Sequence, residues 1–370
     1  MAIRHIACTL AVAAALTAGS AQAADQYGLS KGTPDLKSAG PLAFGPAGIL
    51  FIGDTKGAAV FAVRTGEASG DPSGVEVNVE GVNVKVAEQL GVSSQDLQIN
   101  DLAVNPASGT VYLSVSRGAP SAGPAIVRID ADGTISELSL EDVAFAKAEL
   151  PNAPEDKVVQ RGRRSANYRD SSITDLAYVD GQVLISGMVA SDAASAVRSL
   201  SFPFSDRDVA SSLEIYHGAH GRVEDDSPAR TFVPINIGGE PNVLAGFVCT
   251  PLVRFPVSAI GKGEKVRGTT VAELGNRNRP LDMIVYRKGG EDFLLLTNSA
   301  RGVMKIPTEG IESQEGITER VGGGGTAGQP YETVEAFEGV VQLDKLNDTH
   351  AVIIAQTDGG AMNLKTIELP

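Results

Sequence analysis

The chain has 370 residues, with 31 Lys or Arg against 45 Asp or Glu and a net charge of −14 with histidines neutral. Such acidity excludes nucleic acid and anionic membrane surfaces as partners, since both would repel it. It leaves metal cations and small ligands as compatible partners.

In chain order, the first feature is Arg4 followed by an apolar stretch from Ile6 to Ala18 and then Ala21-Gln22-Ala23. A charged start, a short apolar run and a small-residue cleavage motif predict a bacterial secretory leader over residues 1–23, with the mature domain at 24–370. The run is too short to span a bilayer, and no later segment approaches roughly 18 continuous apolar residues, so no membrane span is expected. A periplasmic or secreted location follows. Loss of Arg4 leaves 30 basic against 45 acidic side chains, a net charge of −15. Loss of Cys8 leaves Cys249 as the single cysteine. A disulfide framework is thereby excluded, and stability must come from burial and hydrogen bonding.

From residue 40 onward one pattern recurs. "GPLAFGPAGILFIGDTKGAAVFAV" (40–63) reads as three short apolar strands separated by a Gly-Pro turn and a polar turn. The same order returns at 99–130, 173–202, 230–257, 279–307 and 339–369. The anchors Leu42, Leu102, Leu176, Leu281 and Val341 are separated by 60, 74, 105 and 60 residues, and the unit at 230–257 fills the long gap. Six such units predict an all-β fold, a single β-propeller of four-stranded antiparallel blades. Seven blades are the alternative, because 66–98 and 141–170 are weakly patterned. Short helices are predicted over 81–92 and 140–150. The C-terminal strands, ending in "LKTIEL", are expected to share a blade with the segment after the leader.

On this repeat the chain resembles the broad group of six-bladed propellers that includes NHL-repeat proteins, the SMP-30/gluconolactonase type and quinoprotein sugar dehydrogenases. The resemblance lies in the repeat over most of the mature chain and carries no catalytic signature. The quinoproteins of that group hold a tricarboxylate quinone with basic residues, so the resemblance offers a quinone as one cofactor.

In a four-stranded meander, turns alternate between the two ends of a blade. The stretch "YHGAHGRVEDDSPAR" (216–230), the turn at Cys249, and the segments around 163–175 and 275–280 therefore fall at one end, around the mouth of the central channel, where the site is expected. His350 falls at the other. Three readings follow. His217, His220 and Cys249 offer two imidazoles and a thiolate, a set that suits copper ahead of zinc; Met188 lies near the same rim. Arg164, Arg169, Arg277, Arg279 and Arg301 could hold a small anionic ligand or the quinone carboxylates, with a histidine as general base for an oxidoreductase. The third reading has no chemistry: the propeller is a scaffold for a periplasmic protein partner. Each site has a plain structural counterpart. In it, the histidines shape a glycine-rich turn, the acids at Glu224, Asp225 and Asp226 form a solvated loop, and the arginines form surface ion pairs. Asp101, Asp175 and Asp282 recur near the innermost strands, where their expected role is hydrogen bonding to neighbouring blades.

Overall fold

The computed structural model describes residues 25–118, 123–161, 164–190, 194–205, 208–249 and 251–370; the expected leader and Cys8 lie outside them. The innermost strand of each repeat is the one that carries the apolar anchor. Blade 1 comprises Leu42–Phe44, Ile49–Asp54 and Ala59–Arg64. Blade 2 comprises Leu97–Val104, Val111–Arg117, Pro124–Ile129 and Ile135–Glu137. Blade 3 runs Asp175–Val179, Gln182–Met188, Ser195–Ser201 and Asp208–His217, and blade 4 Thr231–Ile237, Glu240–Gly246, Pro251–Pro256 and Thr269–Leu274. Blade 5 has Pro280–Lys288, Glu291–Asn298, Gly302–Pro307 and Glu332–Thr333, and blade 6 Val340–Lys345, His350–Gln356 and Met362–Glu368. All pairings within these meanders are antiparallel. The ring has six blades, and Leu42, Leu102, Leu176, Leu281 and Val341 all lie in innermost strands.

Six apolar clusters fill the seams between blades, as expected when a single sheet cannot cover both its faces. Leu184 and Val197 of blade 3 pack with Val243 and Phe255 of blade 4. Leu244 and Leu252 of blade 4 pack with Leu294 and Met304 of blade 5. Two seams show that the ring does not follow the chain. Val352 and Ile354 of blade 6 pack on Leu113 and Val127 of blade 2. Phe51 and Val60 of blade 1 pack on Leu176 and Ile185 of blade 3. The order around the axis is therefore blade 2, 1, 3, 4, 5, 6 and back to 2.

The first two blades are exchanged because their outer edges come from elsewhere. After its third strand, blade 1 gives up the chain to Asn78–Val79, which pairs with Leu364 and Lys365 as the outer strand of blade 6. The helix Val82–Gln89 follows and leads into blade 2. The chain then returns through Val143–Glu149 to complete blade 1, pairing with Ala59–Val63. Ser30–Gly32 adds a further strand to that edge. The C-terminal blade is thus closed by residues 78–79 rather than by the segment after the leader.

The helix expected over 81–92 is present. The one expected over 140–150 is a strand, and its side chains show why. Ala144, Ala146 and Ala148 face the seam with blade 3, while Val143 and Phe145 face blade 2. That is a period of two, decided by pairing on the open edge of blade 1, which overrides the helix propensity of an Ala- and Glu-containing run.

Candidate functional site

Blade 3 departs from the repeat at its outer edge. Its fourth strand, Asp208–His217, runs ten residues and then folds back into Arg222–Glu224 as a hairpin. The turn between them is tight: His220 N and Gly221 N both donate to the His217 carbonyl, at 3.1 and 2.8 Å. Gly221 has φ +69°, a conformation that L side chains rarely adopt. Blade 4 clamps the strand from the other side. Gly268 N donates to Glu214 O at 2.9 Å, and Thr270 Oγ1 donates to Tyr216 O at 2.6 Å. His217 is thus the last residue of a strand, not part of a loop, and is 3% exposed.

The hairpin brings Glu224 beneath both imidazoles. His217 Nδ1 lies 2.7 Å from Glu224 Oε2, and His220 Nδ1 lies 2.8 Å from Oε1. Arg222 Nε donates to Oε1 at 2.7 Å. Burial opposes ionisation of Glu224, but the bonds from Arg222, His217 and His220 prevail and hold its carboxyl below the usual range. An ionised carboxylate only accepts hydrogen bonds, so both Nδ1 atoms carry a proton; in a neutral ring so bonded, Nε2 keeps the lone pair a metal would use. The rings lie 3.8 Å apart, centroid to centroid. His217 Nε2 is fully enclosed and has no hydrogen-bond partner among the described residues. Burial also lowers the His217 pKa, against the pull of Glu224, which favours the neutral ring.

Cys249 reaches this point from the turn between the second and third strands of blade 4. It has φ +64° and donates its N–H to Asn278 O at 3.0 Å. One ligand atom from each of His217, His220 and Cys249 lies within 4.8 Å of the others. Beneath the turn, Glu273 is 1% exposed and accepts from Gly218 N at 2.5 Å. Burial pushes its carboxyl up to about 7, and its Oε2 has no partner among the described residues. Nothing in the sequence marks Glu224 and Glu273 as different from the other acids; Glu224 belongs to the hairpin and not to a solvated loop. Met188 is buried at the end of its strand opposite Ser195, whose N–H donates to Asp225 O at 2.7 Å.

The cluster sits at the seam of blades 3 and 4, at the outer edge of blade 3, and not at the channel mouth where it was expected: none of its three residues is among those that line the two channel cavities. The channel is built by the innermost strands. Asp101 Oδ2 accepts from Leu42 N at 2.7 Å, Asp175 Oδ2 from Phe232 N at 2.7 Å, Asp282 Oδ2 from Leu343 N at 2.8 Å and Asp344 Oδ2 from Val104 N at 2.7 Å. Every bond runs to the next blade in the ring order given above. With its amide nitrogen turned inward, Gln342 donates to Asp282 Oδ2 and Asp101 Oδ1, each at 3.0 Å. Burial raises all four carboxyls: Asp175 to about 7, Asp344 to about 6, and Asp101 and Asp282 well above the usual range, the last two also through a neighbouring carboxyl. Asp101, Asp175 and Asp282 line both a 640 Å³ cavity at one mouth and a 620 Å³ cavity at the other. They form a waist between the two.

The five arginines expected to act together are dispersed. Arg169 is a structural brace, donating to Pro154 O at 2.6 Å and Lys56 O at 3.1 Å. Arg164 opens a strand of a separate two-stranded hairpin, Val158–Arg161 with Arg164–Asn167. Arg301 packs under Gly275, donates to Asn276 O at 3.2 Å and lines a cavity at the blade 5–6 seam. Arg277 is exposed at φ +60°. Among the described side chains, Arg279 lines the 640 Å³ cavity, where its companion is Arg230. His350 begins the second strand of blade 6 and bonds Thr349 Oγ1 at 2.9 Å. Its neighbours Asn347 and Asp348 line the other mouth, as the alternation of turns requires.

No family model matches the chain, and no curated protein matches it. Among solved structures it is similar to the PQQ-bound aldose sugar dehydrogenase of Streptomyces coelicolor, at 11% identity over 92% of this chain and 96% of that one, with a TM-score of 0.32. It is similar to the plexin A4 extracellular region at 8% identity and a TM-score of 0.42, covering 92% of this chain but 40% of that one. Raptor of Chaetomium thermophilum gives 11% identity over 92% of this chain and 26% of the other, with a TM-score of 0.33. Likenesses this loose carry no argument about the chemistry of this chain.

Proposed function

We propose that this chain is an exported propeller that binds one transition-metal ion, copper ahead of zinc, between His217, His220 and Cys249. One observation carries the reading. Three metal-ligating groups, two from the hairpin of blade 3 and one from a turn of blade 4, have ligand atoms within 4.8 Å of one another. The enclosed, unpartnered Nε2 of His217 supports it, because a buried imidazole nitrogen without a partner costs free energy unless something occupies it. So does Glu224, which orients both rings through Nδ1 as outer-shell carboxylates of metal-bound histidines commonly do.

Two nitrogens and a thiolate favour copper or zinc over calcium or magnesium. Copper there would supply one-electron chemistry, and the partial exposure of His220 and Cys249 leaves a path to the site for a partner. The chain's own contribution is to fix two imidazoles, oriented by one carboxylate, beside a thiol at a blade seam. Export rests on the leader pattern at residues 1–23. It is tested by mass spectrometry of protein from the periplasmic fraction, where the mature N-terminus should fall near Ala24.

The metal reading is tested by elemental analysis of protein purified without chelator and then exposed to copper or zinc. Wild type should hold one ion per chain. Cys249→Ser should lose most of it, together with any visible thiolate-to-copper absorption, while His350→Ala should match wild type. Equal metal content in wild type and Cys249→Ser would remove the cysteine from the site.

A further inference from the structure

A second unsatisfied feature lies at the channel mouth, apart from the metal site. Arg230 and Arg279 immediately precede or nearly precede the innermost strands of blades 4 and 5, which are ring neighbours. Both line the 640 Å³ cavity. The chain has 45 acids for 31 bases, so acidic partners are in surplus. Even so, neither guanidinium has an ion-pair partner among the described residues, and Arg230 Nε is enclosed without a hydrogen-bond partner. Burial, and then the nearby charge of Arg279, work against the charge on Arg230, with Asp175 opposing them. Two like charges held together in a half-enclosed cavity raise each other's energy unless an anion joins them.

We propose that this mouth of the channel binds a small organic acid, its carboxylate held between Arg230 and Arg279. Guanidinium forks match a planar carboxylate, and desolvated pairs of this kind are among the stronger hydrogen-bonded contacts. Gln98 and Gln356, which face the same cavity from blades 2 and 6, supply amide groups for the polar remainder of the ligand. The cavity volume is within the range of small-molecule sites. A small carboxylate is favoured over phosphate by the floor of the cavity. Asp101, Asp175 and Asp282 stand there, and a dianion would suffer more from each of them that ionises. The proposal is independent of the metal.

The test is calorimetric titration of the full mature chain with lactate, succinate and inorganic phosphate, at constant ionic strength set with chloride. At least one of the two carboxylates should bind saturably at one per chain. Arg279→Met and Arg230→Met should each weaken that binding about tenfold or more, and Cys249→Ser should leave it unchanged. Arg279 is exposed, so Arg279→Met keeps the test valid even if Arg230→Met impairs folding. Absence of saturable carboxylate binding, or equal affinity in wild type and Arg279→Met, would overturn the proposal. Tighter binding of phosphate than of either carboxylate would overturn the ligand class.

Discussion

The molecule holds two clusters of titratable side chains, and they are made in opposite ways. The carboxyls of the channel come from the repeat: Asp101, Asp175 and Asp282 each sit on an innermost strand and each accepts the N–H of the next blade. The histidine–cysteine cluster comes from a break in the repeat, where blade 3 extends its outer strand and turns back on itself. In the channel, every Asp is spent on a backbone donor that would otherwise be orphaned. At the seam, a buried nitrogen and a buried carboxylate oxygen have no partners among the described residues. Recurrent polar residues hold the ring closed, whereas the non-recurrent ones stand in excess of what folding needs.

If that contrast is right, substitutions in the two clusters should separate stability from binding. The largest effect is expected at Cys249→Ser, which should abolish most metal binding yet leave the melting temperature of the metal-free protein close to wild type. A metal-free protein that melts far lower would show that Cys249 serves the fold. Asp175→Ala should do the reverse. It orphans the Phe232 N–H at the blade 3–4 junction and should cost about 2 kcal/mol in urea unfolding, with one metal ion still bound per chain.

Glu224→Gln sharpens the comparison within the seam. The amide can accept from only one imidazole, so one ring loses its orientation. Metal affinity should fall by about 10- to 100-fold, the usual range for an outer-shell partner. An unchanged dissociation constant in a competition titration would leave Glu224 with no role in orienting the rings.

The two clusters should also answer pH with opposite signs. The channel carboxyls bind protons more tightly folded than unfolded, with Asp344 at about 6 and Asp175 at about 7. Their contribution to stability is full below the ordinary carboxyl range and is lost as pH rises through 6 to 7. Metal binding needs neutral imidazoles and a thiolate, so it weakens as pH falls. Urea midpoints at pH 5 and pH 8 should therefore differ less for Asp175→Asn, which carries no proton at that position, than for wild type. Equal differences in the two proteins would mean that Asp175 does not titrate in this window. The smallest effect is expected at Gln342→Leu, which removes one amide bridging Asp282 and Asp101 and should cost about 1 kcal/mol.

By itself, the sequence determined what a period of two and its turns can encode. The six units, their innermost strands and the end of the ring on which His217, Cys249 and His350 lie were all legible, because alternation and turn position are local properties of the chain. The role of Asp101, Asp175 and Asp282 was legible for the same reason, since each recurs at one place in the repeat. Tertiary structure alone decided the exchange of blades 1 and 2. That exchange depends on which open edge captures residues 78–79 and 143–149, and edge pairing between distant segments leaves no local trace. It also decided which charges matter. Glu224 looks like Asp225 in the sequence, yet its carboxylate is turned under two imidazoles while Asp225 meets Lys265 at 2.7 Å in the open. Arg230 was passed over and Arg169 selected, although Arg230 faces the channel and Arg169 is tied to backbone carbonyls. Side-chain chemistry can be read from a sequence, but burial and convergence depend on segments that meet only when the ring closes.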